Sequence, residues 1–166
     1  NRSSTALIVL LYDGGVPELP EVESTRRALA PAMVGARIVA VDIRRPDLRQ
    51  PFPRRFATRL TGQTVLALNR RAKYLLAPLS SGETLLMHLG MSGSIRVSRQ
   101  VAALQIGAHD HVTFYLSSGR AVVFNDPRRF GVIDLIPPGG VADHPTLRAL
   151  GPEPLSGDFD AAALDR

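Results

Sequence analysis

From about residue 37 onward, apolar residues recur at every second position, and turn residues interrupt them at short intervals. This change of period limits the fold more than any other feature. Val112, Phe114 and Leu116 alternate with His111, Thr113 and Tyr115, the pattern of a strand with one face buried. Ser117-Ser118-Gly119 then closes a hairpin onto residues 120–125. The same reading predicts strands over 37–44, 64–70, 73–79, 83–89, 94–98, 110–116 and 132–136. Ahead of this region the period is helical. Val22, Leu29 and Met33 fall near one face, with Arg26 and Arg27 off it. Pro20 suits a first turn, and Glu21 and Glu23 suit the positive end of a helix over 20–33 that Pro31 and Gly35 limit. These elements predict a mostly β, α+β domain: a β-sandwich or barrel of about eight strands with an N-terminal helix packed against it.

With 166 residues, 45% of them hydrophobic, the chain is long enough for one domain with its own core. A net charge of +5 favours an anionic partner such as nucleic acid. There is no cysteine, which excludes disulfides and thiolate zinc sites. The apolar run over 6–11 is far too short to span a bilayer, and it lacks the flanks of a signal peptide. A cytoplasmic protein is the simplest expectation. The twenty cations are nineteen arginines and one lysine, Lys73. Arginine stays protonated, whereas lysine can act as acid, base or amine. In a chain that otherwise avoids lysine, Lys73 is either a candidate for proton chemistry or a chance survivor on the surface.

Residues 1–16 read as a segment foreign to the fold or a misassigned start, with Val16 where an initiating residue would stand. The alternative is a genuine strand over 7–12 on a sheet edge. The expected organisation is this extension, a domain over 17–150, and the start of a linker over 151–166.

Four motifs follow one another. They are Pro17-Glu18-Leu19-Pro20-Glu21-Val22-Glu23, Arg70-Arg71-Ala72-Lys73-Tyr74-Leu75-Leu76, His88-Leu89-Gly90-Met91-Ser92-Gly93 and Asn125-Asp126-Pro127-Arg128-Arg129-Phe130-Gly131. Together with Leu150-Gly151-Pro152-Glu153-Pro154-Leu155 they resemble the N-terminal catalytic domain of the formamidopyrimidine-DNA glycosylases, from Pro17 to about Phe159. The resemblance implies a bacterial, nucleoid-associated base-excision repair enzyme, a monomer that acts on double-stranded DNA bearing oxidised purines or abasic sites. It makes Pro17 the amine nucleophile, Glu18 a general acid, and Lys73 a phosphate contact and proton donor. Met91 becomes a wedge filling the gap left by an everted base. Arg128 would pair with the orphaned opposite base, with Phe130 wedged beside it, and His109 would contact a phosphate.

The resemblance also implies a helix–two-turn–helix module and a zinc finger beyond this chain, so no cofactor or metal is expected within it. His109-Asp110-His111 is read as no metal site, its two rings expected to diverge and no cysteine nearby to complete a ligand set. Glu21 and Glu23 are expected only to cap their helix. His88 is read as structural, His111 as sheet surface, and the arginines between 44 and 59 as a solvated face.

One conflict stands out. A proline nitrogen joined to Val16 is an amide, its lone pair delocalised into the carbonyl. It cannot form an iminium with a sugar. A non-catalytic nucleic-acid-binding β-module that retains the glycosylase fold is therefore the alternative reading.

Overall fold

The computed structural model describes residues 17–150 and the backbone of residues 6–9. Helix α1 spans Leu19–Met33. Glu18 precedes it in extended conformation, and the Glu21 carboxylate accepts a hydrogen bond from the Glu18 backbone N–H at 2.7 Å. This satisfies one donor of the exposed helix start. Val22, Thr25, Leu29, Ala32 and Met33 form the buried face. Pro31 lies on the exposed side, and the helix ends at Val34 before Gly35 turns the chain at φ +85°.

Nine strands follow or precede this helix among the described residues. They are β1 Ala6–Val9, β2 Ile38–Ile43, β3 Asn69–Arg71, β4 Tyr74–Pro78, β5 Thr84–His88, β6 Ser94–Ser98, β7 Asp110–Leu116, β8 Ala121–Asn125 and β9 Val132–Ile136. They form two antiparallel sheets, ordered β1-β6-β8-β7-β2 and β3-β4-β5-β9. One core lies between them. Leu75, Leu85 and Met87 from the second sheet share it with Val97, Phe114 and Phe124 from the first, and with Leu29 and Met33 of α1. The expected sandwich with its N-terminal helix is the observed fold.

Three departures from the expected elements have simple causes. Residues 64–70 do not form one strand. Thr64 bridges Arg37 and Val65 bridges Leu79, while the Leu66 N–H bonds the Pro78 carbonyl, and β3 begins only at Asn69. The segment pairs first toward β2 and then toward β4, so it turns the corner between the sheets. Helix α2, Phe56–Leu60, buries Phe56 and Leu60 within a stretch expected to be a solvated face. Helix α3, Pro145–Arg148, sets Leu147 against Leu76, Leu86 and Ile136 on the outer face of the second sheet. The backbone of β1 pairs with β6, Ala6 opposite Ser98 and Val9 opposite Arg96. The predicted linker over 151–166 lies outside the described residues.

Candidate active site

The β3–β4 hairpin presents Lys73. Arg71 pairs with Tyr74, leaving Ala72 and Lys73 as a two-residue turn. Such turns need positive φ, and Ala72 adopts φ +50°. The Arg70 guanidinium donates to the Ala72 carbonyl at 3.1 Å, holding the turn from below. From it Lys73 reaches the start of α1, where its Nζ lies 3.2 Å from Oε1 of Glu18. Pro17, next in the chain to Glu18, is buried.

Glu23 sets the spacing of these two elements. Its carboxylate accepts from Arg26 at 2.7 Å, from Arg27 at 3.0 Å and from Arg70 at 2.8 Å. Arg26 also donates to the Leu68 carbonyl. The Arg26 hydrogen bond, opposed by burial and reinforced by Arg70 and Arg27, lowers the Glu23 pKa to about 2. Glu23 therefore does more than cap a helix: it clamps α1 to the hairpin that carries Lys73.

Beside this pair lies a cleft of about 610 Å³, lined by Leu48, Arg49, His88, Gly90, Met91 and the Arg128–Arg129–Phe130 tip. Tyr74 links the two regions: it follows Lys73 and its ring lies 4.4 Å from that of His88. Burial, then the charges of Lys73 and Arg49, push the His88 pKa down. His88 Nδ1 accepts the Gly90 N–H at 3.0 Å, so any proton on the neutral ring sits on Nε2. His88 is thus both structural and part of the cleft wall. Arg49 is held through its own N–H on the Gly131 carbonyl. No periodicity marks it out within its arginine-rich stretch.

Met91 and Phe130 are 39% and 40% exposed, and both line the cleft. The Arg128 guanidinium sits over the Phe130 ring, 5.1 Å from its centroid. The two loops approach so closely that a Cβ on Gly90 would lie 2.5 Å from the Phe130 carbonyl carbon. Asp126 is buried between them and binds Ser92 of one loop and Gly131 of the other. Neither Asp126 nor Ser92 was singled out from sequence. The only signal was the Asn-Asp-Pro turn, in which a short acidic side chain commonly bonds nearby backbone.

His109 is exposed at the base of β7, at the same end of the sheet as Asn125. His111 is buried, with Nε2 2.8 Å from the Asp126 carbonyl, which corrects its reading as sheet surface. The two rings do not diverge either. They lie 6.2 Å apart, because residues two apart on a strand share a face. Asp110 between them receives Arg96 at 2.8 Å on each oxygen, the Gly107 N–H and the Asn125 amide. Burial raises its pKa, but these donors prevail and lower it to about 2. It is spent on structure. Among the described residues no group of three or more His, Asp or Glu side chains could hold a metal ion, and no helix is long and apolar enough to cross a membrane.

Residues 16–133 match the formamidopyrimidine-DNA glycosylase N-terminal domain. This chain belongs to the formamidopyrimidine-DNA glycosylase family. The family's curated members from Rhodopseudomonas palustris and Methylocella silvestris are 58% and 55% identical to it, over 90% and 91% of this chain. The chain spans about half of their length, 54% and 55%. A crystal structure of the Lactococcus lactis glycosylase bound non-covalently to DNA containing an abasic site superimposes with a TM-score of 0.74 at 32% identity. It covers 88% of this chain and 55% of that one. The same glycosylase with DNA carrying a formamidopyrimidine-dG gives 0.72. The Thermus thermophilus protein gives 0.69 at 38% identity, covering 84% of this chain and 48% of that one.

Proposed function

We propose that this chain is the catalytic N-terminal part of a bifunctional DNA glycosylase and abasic-site lyase. It removes oxidised purines, 8-oxoguanine and formamidopyrimidines, from double-stranded DNA. The observation that carries this reading is the 3.2 Å approach of Lys73 to Glu18, beside Pro17, at the edge of a cleft bearing Met91, Arg128 and Phe130.

In this reading the Pro17 nitrogen attacks C1′ of the damaged nucleotide. The N–C1′ bond forms as the glycosidic bond breaks, and the base leaves with a proton. An α-amine titrates at about 8, so part of it is unprotonated near neutral pH. Glu18 protonates the sugar ring oxygen as the ring opens, giving an iminium between Pro17 and the sugar. Loss of a C2′ proton then expels the 3′ phosphate, and a second elimination expels the 5′ phosphate. Lys73 contacts the phosphate beside the lesion and supplies protons. Met91 fills the space of the everted base, whose unstacking costs a few kcal/mol. Arg128 faces the base left opposite, with Phe130 beside it, and His109 takes a phosphate.

The sequence attaches a condition. While Val16 acylates Pro17, the nitrogen has no lone pair to give. The extended chain is inactive, and activity requires a chain that begins at Pro17. The pairing of Ala6–Val9 with β6 favours a second reading, a non-catalytic nucleic-acid-binding module in which the N-terminal segment is part of the sheet. Lys73→Arg separates the two. In a full-length protein starting at Pro17, Lys73→Arg keeps the charge and suppresses cleavage of DNA carrying 8-oxoguanine. Unchanged cleavage removes the proton-transfer role. No cleavage by the parent favours the binding module.

A further inference from the structure

We propose that Asp126 and Ser92 are positioning residues that couple the Met91 loop to the Arg128–Phe130 loop, so that the two enter DNA as one body. The inference rests on the functional reading above, because it concerns the same DNA-facing side chains.

The carboxylate of Asp126 is fully buried, and both of its oxygens are used. Oδ1 accepts the Ser92 hydroxyl at 2.7 Å, and Oδ2 accepts the Gly131 N–H at 2.8 Å. The Ser92 oxygen in turn accepts the Arg128 N–H at 3.0 Å. The backbone of Asp126 is engaged as well. Its N–H donates to the His109 carbonyl at 3.0 Å, and its carbonyl accepts from Arg129 at 3.2 Å and from His111 Nε2 at 2.8 Å. That carbonyl can only accept, so His111 carries its proton on Nε2.

Each DNA-facing position named by the motifs therefore lies within one residue of a group bonded to Asp126 or to its partner Ser92. Met91 precedes Ser92, Arg128 bonds Ser92 through its own N–H, Phe130 precedes Gly131, and His109 supplies a carbonyl. A general scaffold would not need this convergence. The turn could be closed by backbone bonds alone, and a buried carboxylate is costly unless fully satisfied. Ser92 is the bridge between the loops. Its hydroxyl is at once the donor to Asp126 and the acceptor for Arg128, so a residue without it leaves a buried carboxylate oxygen and the Arg128 N–H short of these partners.

The glycines add a steric counterpart. A Cβ on Gly131 would lie 2.8 Å from both Asp126 Oδ2 and the His88 carbonyl, and one on Gly90 would lie 2.5 Å from the Phe130 carbonyl carbon. Polar bridge and close backbone contact together leave the loops little freedom to move separately.

The test reads insertion rather than chemistry, so it uses the chain as it stands. The probe is a duplex with a tetrahydrofuran abasic-site analogue and 2-aminopurine opposite it, whose fluorescence rises when that base is unstacked. The chain raises the signal, and Met91→Ala lowers the rise. Ser92→Ala lowers the ratio of inserted to uninserted complex, read from the amplitude at saturating protein, about fivefold or more, because each ordinary hydrogen bond it loses is worth about 1 kcal/mol in a two-state balance. Ser92→Thr, which keeps the hydroxyl, restores it. A merely structural role moves the melting temperature, not the amplitude of a folded, saturated complex. Parent amplitude in Ser92→Ala overturns the coupling and leaves the wedge reading intact. Equal losses in Ser92→Ala and Ser92→Thr also overturn it. No rise with the parent, unchanged by Met91→Ala, removes the functional reading and the coupling with it.

Discussion

Lys73 Nζ lies 3.2 Å from Glu18 Oε1, although 55 residues of sequence separate them. Their side chains are 39% and 64% exposed, so solvent screens the attraction. An exposed pair of this kind is worth less than about 1 kcal/mol. So small a stabilisation is compatible with the proposal that the two groups serve one reacting centre.

Glu18→Gln should therefore separate stability from chemistry. In a full-length protein starting at Pro17, it lowers iminium formation on DNA carrying 8-oxoguanine by about 10² or more, the usual contribution of a positioned acid. Its denaturant midpoint stays within the range set by an exposed pair. A large stability loss with intact iminium formation contradicts the assignment.

Acid should loosen the clamp between helix and hairpin. Glu23 falls from an ordinary pKa of 4.5 to about 2, and Asp110 from 3.8 to about 2. Both are depressed in the fold, so their stabilisation is fully present above their unfolded values and is lost as pH falls through about 2. Stability followed by circular dichroism in urea should drop between these limits. Glu23→Gln and Asp110→Asn each flatten the slope there. A slope unchanged in both variants shows that neither carboxylate is tied as described.

Gly90 should not tolerate a side chain. Its φ is +63°, and a Cβ would meet the Phe130 carbonyl carbon at 2.5 Å, a backbone neighbour that cannot rotate away. Gly90→Ala should cost about 2 kcal/mol or more in thermal unfolding and displace the Arg128–Phe130 tip. A melting temperature within a degree or two of the parent contradicts the close packing of the two loops.

Much of this was legible in the chain. Strands 94–98, 110–116 and 132–136 were predicted residue for residue from their apolar alternation, but β7 is not the half-buried strand that alternation implied, because His111 and Thr113 are buried on its other face. Corner residues 64–70 misled because they carry the same alternation while pairing to two different sheets. Helix α2 was invisible because its five residues are shorter than a hydrophobic period can register. In the site, residues that face solvent sit in motifs and could be named. Asp126, Ser92 and Glu23 act through hydrogen bonds across the fold, and such partners have no spacing in sequence.

The central claim is that the Pro17 nitrogen is the nucleophile once it is free. Borohydride reduction of a mixture with abasic-site DNA fixes an iminium as a stable covalent adduct, which peptide mass mapping can locate. The account predicts an adduct on Pro17 when the full-length protein begins there, retained in Lys73→Ala and absent when Val16 still precedes Pro17. An adduct on Lys73, or equal trapping with Val16 in place, would contradict it.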